Sequence, residues 1–163
     1  MHILIKNKHF ILNDYRLKCS IGKRGIGQKR KEGDYITPKG LFKIKYILYR
    51  KDRIKNLKSA IKKLVITKKM AWCDDPRSKQ YNKIVKLPIE FGFERLYRKD
   101  NIYDIILVLN YNMNPIKKNK GSAIFIHVAK KKYSATKGCV AIKKIELLKI
   151  LSDIKKNTKV KII

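Results

Sequence analysis

Acidic residues are scarce in this chain: 12 Asp and Glu stand against 42 Lys and Arg in 163 residues, a formal net charge of +30. Such an excess attracts polyanions, whether nucleic acid, anionic lipid or acidic cell-wall polymer. It reads equally as a compositional habit, because lysine recurs even in loops, as at Lys117, Lys118 and Lys120. Long apolar runs are missing too. No window reaches the roughly 18 apolar residues of a membrane span. The N-terminal stretch MHILIKNKHFILNDYR is broken by Lys6, Lys8 and Asn13, so it lacks the continuous apolar segment of a signal peptide. The three cysteines, Cys19, Cys73 and Cys139, are an odd number with no C-x-x-C spacing. They suggest neither a disulfide framework nor a zinc site, and no metal or cofactor is expected. The glycine-rich stretch GKRGIGQKRKEGDYITPKG is no phosphate cradle either. Its G-x-x-x-x-G-Q-K lacks the Lys-Ser/Thr ending of a P-loop, and Arg30 stands where a dinucleotide turn needs glycine.

What is present suffices for one domain over residues 1–163, with a 44% hydrophobic share, no internal repeat and no long linker. The first forty residues alternate apolar and polar positions, with turn signals at Asn7-Lys8 and Asn13-Asp14, and predict short antiparallel strands. Tyr15, Leu17, Cys19 and Ile21 share a face, which makes Cys19 a core thiol. Thr37-Pro38-Lys39-Gly40 suits a type I turn, followed by a strand with Phe42, Ile44, Tyr46 and Leu48 on one face. Ile54, Leu57, Ile61, Leu64 and Val65 fall at helical spacing and predict a short helix over 54–66. Ile102 to Leu109 and Ala123 to Val128 read as buried strands. Ile145, Leu148, Leu151 and Ile154 predict a helix ending near Asn157, and TKVKII a final strand.

The segment that carries chemistry is GSAIFIHVAKKKYSATKGCVAI. His127 leaves a buried strand, and Cys139 follows a turn of Thr136, Lys137 and Gly138. Attack by cysteine needs a thiolate, hence a base or a nearby cation. His127 supplies a base and Lys137 a local charge, while Gly138 lets the backbone approach a carbonyl and aim N–H groups at an oxyanion. A strand histidine twelve positions before a cysteine (139 minus 127) is, taken alone, more often a packed core residue.

The wider pattern resembles the L,D-transpeptidase (YkuD-like) catalytic-domain family over nearly the whole chain. The similar pieces run, in order, through Gly25, Lys31 to Asp34, Thr37-Pro38 with Gly40, Trp72 to Pro76, Tyr81-Asn82, Arg98, Asp100 and Tyr103-Asp104. They end with Gly121 to His127 and Thr136-x-Gly138-Cys139. The resemblance implies Cys139 as nucleophile, His127 as its base and Gly138 as a backbone positioner. It leaves Thr136, Lys137, Arg98 and Trp72 as candidate substrate contacts, with Arg98 and Asp100 also readable as a plain ion pair. Lys137 stands where the family motif usually has histidine, and Ala141 where Asn or Arg is usual.

The fold implied is mainly β, a mixed sheet or sandwich with a few helices, and Cys139 lies between a strand and a helix starting near Lys143. The activity implied is acyl transfer on peptidoglycan stem peptides through a Cys139 thioester, resolved by an amine (transpeptidase) or by water (L,D-carboxypeptidase), in the periplasm or cell envelope. Cys73, flanked by Asp74 and Asp75, is a poor nucleophile because two carboxylates disfavour its thiolate. The rival from another class is a basic nucleic-acid-binding module. Against it, the chain has no RRM, KH, zinc-finger or helix-turn-helix signature, and its lysines are spread rather than gathered on one element.

Overall fold

The computed structural model describes residues 2–163. Three strands open it, β1 (His2–Lys6), β2 (His9–Leu12) and β3 (Tyr15–Lys18), joined by two-residue turns. Asn7, Lys8 and Asn13 take φ of 49°, 60° and 50°, the left-handed conformations that tight hairpins demand. Just past β3, Cys19 is fully buried, as the alternation predicts. Two-residue strands β4 (Ile26–Gly27) and β5 (Thr37–Pro38) then pair in parallel. Thr37-Pro38 is therefore extended rather than the start of a type I turn. The Thr37 hydroxyl accepts from Gly22 N–H at 2.8 Å, and the backbone runs on into the long strand β6 (Gly40–Tyr49).

The remaining elements are β7 (Lys63–Val65), β8 (Met70–Cys73), β9 (Lys83–Lys86), β10 (Phe93–Arg95), β11 (Ile105–Leu109), β12 (Phe125–Val128), β13 (Val140–Ile142), the helix α1 (Lys144–Ile150) and β14 (Lys159–Ile162). The main sheet is mixed, in the order β13-β12-β11-β6-β14-β1-β2-β3, with β7 added alongside β6. Its two ends nearly meet, because Ser20 and Ala141 exchange backbone hydrogen bonds of 2.7 and 2.9 Å. A smaller sheet, β10-β8-β9, lies beside it.

Strand β6 does not keep one face inward. Its ladder with β11 pairs Val108 with Tyr46 but Leu109 with Ile44, so Lys45 is an extra residue in a bulge. The phase flips there. Phe42 and Ile44 on one side of the bulge, and Ile47 and Tyr49 on the other, join the large core. Tyr46 and Leu48 instead join a second cluster with Trp72, Tyr103 and Phe125.

Residues 54–62 form no helix. Ile54, Leu57 and Ile61 are buried from an irregular segment in which Asn56 takes φ 54°, a conformation a right-handed helix excludes. Residues 63–65 pair with Ile47 to Tyr49 instead. The C-terminal helix is shorter than its apolar spacing, and its buried face is Leu147, Ile150, Leu151 and Ile154, while Ile145 is 75% exposed. Those four positions follow i, i+3, i+4, i+7, but the chain turns after Ile150, so the last two reach the core from outside regular helix.

Candidate active site

Strands β12 and β13 run parallel, with Ile126 beside Val140 and His127 beside Ala141. Continuing that register sets Cys139 beside Phe125. Side chains alternate along a strand, so Cys139, Phe125 and His127 project on the same side of the sheet, with His127 one diagonal step from the thiol. Both open on a cavity of about 740 Å3, which is also lined by Lys29, Glu32, Glu94 and Arg98.

The thiol is held from two directions. Cys139 Sγ–H donates to Ala123 O at 3.0 Å, and Phe125 N–H donates to Sγ at 3.4 Å. Burial, with Glu94 next in weight, pushes its pKa up to about 12, so the resting group is a thiol. His127 is buried as well, and loss of solvation brings its pKa down to about 4. Its Nδ1 lies 3.0 Å from Val128 O. A carbonyl can only accept, so Nδ1 carries the proton and Nε2 keeps the lone pair. The ring stands edge-on to Tyr103, with centroids 5.4 Å apart, and Tyr103 donates its hydroxyl to Glu94 Oε1 at 2.7 Å. At rest the site thus holds a neutral thiol and a neutral imidazole.

The turn before Cys139 is stapled by Thr136, whose hydroxyl donates to Cys139 O at 2.6 Å and accepts from Gly138 N–H at 3.1 Å. Gly138 has φ 137°, and a β-carbon there would come within 2.9 Å of Ile36 O, so both conformation and space require glycine. Lys137 is exposed at the cavity rim. Arg98 lines the cavity too. Its guanidinium makes a two-pronged pair with Asp100, at 2.9 and 2.6 Å, and lies 5.4 Å from the Tyr103 ring centroid.

Trp72 is elsewhere. It is fully buried, edge-on to Phe125, with Nε1 donating to Asn82 Oδ1 at 3.1 Å, and it does not line the Cys139 cavity. Cys73 is also fully buried.

Asn82 ties this neighbourhood together. Its Oδ1 also accepts Ala123 N–H at 3.0 Å, and its Nδ2 donates to Tyr111 O and Asn112 O. Asp104 accepts from Arg53 and Lys144, both at 2.7 Å, and so joins the segment after Tyr103 to α1. Sequence reasoning missed Lys29, Glu94 and the Ala123 carbonyl. A backbone acceptor has no side-chain signature, and one buried lysine does not stand out among so many.

Compared with known proteins, the chain matches the family model described as YkuD, L,D-transpeptidase catalytic domain, over residues 3–162. No curated protein matches it.

Proposed function

The chain belongs to the L,D-transpeptidase catalytic-domain family, which acts on peptidoglycan, and from that premise we propose that Cys139 and His127 are the nucleophile and base of acyl transfer on stem peptides. The observation that carries this reading is the pair itself: a thiol and a neutral imidazole with a free Nε2, on one face of adjacent strands and opening on one cavity. Substrate entering the cavity displaces the thiol proton from Ala123 O toward Nε2 as Sγ attacks the amide carbon before the terminal D-alanine. The imidazolium so formed then protonates the leaving amine, and a thioester remains on Cys139. An acceptor amine, deprotonated by His127, next attacks the thioester to form the cross-link. Water in its place makes the same enzyme an L,D-carboxypeptidase.

Thr136 and Gly138 hold the nucleophile's backbone, while Lys137 and Arg98 on the cavity wall face substrate carboxylates. Family members are typically associated with the cell envelope, and we place the reaction there. Among the described residues no helix is long and apolar enough to cross a membrane. Intact-mass measurement after incubation with a carbapenem tests the proposal. One drug-sized adduct, mapped to Cys139, is expected, and a protein that stays unmodified while correctly folded sinks it.

A further inference from the structure

Lys29 is an unusual lysine for so basic a chain. Its side chain is only 2% exposed and its Nζ pairs with Asp34 Oδ1 at 2.5 Å. Asp34, equally buried, also accepts backbone N–H groups from Arg30, Lys31 and Ile36, which fixes the loop that carries the ammonium. Burying an ion pair costs desolvation of both charges, and apolar side chains of the same size would serve stability as well or better. The pair therefore calls for a use beyond holding the loop.

Its position supplies one. A β-carbon built on Gly138 would lie 3.6 Å from Lys29 Nζ, and one on Gly121 would lie 3.3 Å from it, so the ammonium is wedged between the turn before Cys139 and the strand-entry loop before Ala123. Lys29 lines the same cavity as Cys139. Of its three N–H groups Asp34 takes one. The Gly138 N–H, meanwhile, is already committed to the Thr136 hydroxyl. Negative charge developing at this turn thus has little from that amide and a buried cation close by.

We propose that Lys29 is a positioning residue for the reaction: its buried ammonium is the fixed positive charge against which the Cys139 thiolate, and then the oxyanion of the acyl intermediate, form. This rests on the acyl-transfer reading for its second half only. The other charged or titratable groups that line the cavity include Glu94 from β10, Glu32 from the Lys29 loop, Asp74 after β8, Arg98, Tyr103 ahead of β11, His127 on β12 and Lys137 on the turn. Glu94 and Glu32 disfavour the thiolate, whereas Lys29 favours it. Exposed Lys137 is screened by water and contributes less.

The test is alkylation of Cys139 by iodoacetamide, followed by peptide mapping across about pH 7 to 10, in the wild type, Lys29→Arg, Lys29→Met and the double variant Lys29→Met/Asp34→Asn. The double variant matters because Lys29→Met alone strands a buried carboxylate and can fail to fold. With fold checked by circular dichroism, the double variant should alkylate about tenfold or more slowly at every pH, since one pKa unit is a tenfold change in thiolate. Lys29→Arg should stay within about threefold of wild type. A folded double variant reacting at the wild-type rate overturns the proposal. So does an arginine variant as slow as the methionine one, which would assign the effect to shape rather than charge. Iodoacetamide needs no stem-peptide chemistry. A wild type that alkylates but never forms a carbapenem adduct therefore counts against the acyl-transfer reading and leaves the Lys29 comparison standing.

Discussion

At the scale of single residues, the three cysteines divide by surroundings. Cys19 and Cys73 are closed off in the core, and burial takes the Cys19 thiol up to about 12. Cys139 has the same high value but shares a cavity with His127. We expect Cys139→Ala to abolish acylation by a carbapenem, and Cys19→Ser and Cys73→Ser to retain it when folded, read by intact mass. His127 makes a prediction about stability as well. An unfolded histidine takes a proton near pH 6.5, whereas the folded one resists until about 4. The His127 contribution to stability is therefore lost as pH falls across that interval and changes no further below it, by about 3 kcal/mol in total. Urea midpoints at pH 7 and pH 4 should show this slope in wild type and lack it in His127→Gln. The same variant should turn a nearly flat neutral pH–acylation profile into one that climbs about tenfold per pH unit, as an unassisted thiol does. The sequence puts Cys139 and His127 forward because the proposed acyl transfer needs those two residue types, and the structure sets both on one cavity. Lys29 was not legible in the sequence, since its meaning comes from burial against Gly138, a contact across 109 positions (138 minus 29).

Among elements, strands with strict alternation and asparagine turns could be read directly, as β1 to β3 show, and so could the wholly buried β11 and β12. The misreadings share a cause: apolar spacing reports which residues are buried, not the backbone that delivers them. Ile54, Leu57 and Ile61 do reach the core, but from an irregular segment, because pairing of 63–65 with β6 and the left-handed Asn56 override a helix. The Lys45 bulge likewise has no marker in a strand whose lysines already alternate. Asn82 is the element-scale support of the site. Its side chain satisfies Trp72 Nε1 and Ala123 N–H at once, and Ala123 O is what the thiol touches. Asn82→Ala strands both donors in the interior. We expect a loss of about 2–4 kcal/mol in chemical denaturation, from two unsatisfied groups at roughly 1–3 kcal/mol each with partial relaxation. Acylation should slow by more than the unfolded fraction accounts for. Unchanged acylation in the folded variant would detach Asn82 from the thiol's placement.

For the whole molecule, the +30 charge and the chemistry separate by salt. If the basic surface, Lys130 to Lys132 near the His127 strand included, concentrates the protein on acidic wall polymer, binding to sacculi should weaken as the Debye length falls from about 10 Å at 0.1 M to about 3 Å at 1 M. Carbapenem acylation should hardly change over the same series. Tight nucleic-acid binding at physiological salt with an inert Cys139 would instead favour the nucleic-acid module. The sheet order also says something about how the chain must fold. Strand β14 alone joins the half that carries the site, β13-β12-β11-β6, to the opening meander β1-β2-β3 within the ladder. Its partner β1 lies 157 positions away in sequence, as in the pairing of Leu4 with Lys161 (161 minus 4). Contacts of such long sequence separation slow folding. Both seams that close the sheet around Cys139 are of this kind, since the Ser20–Ala141 pair spans 121 positions (141 minus 20), so the site is assembled only once these long-range contacts have formed.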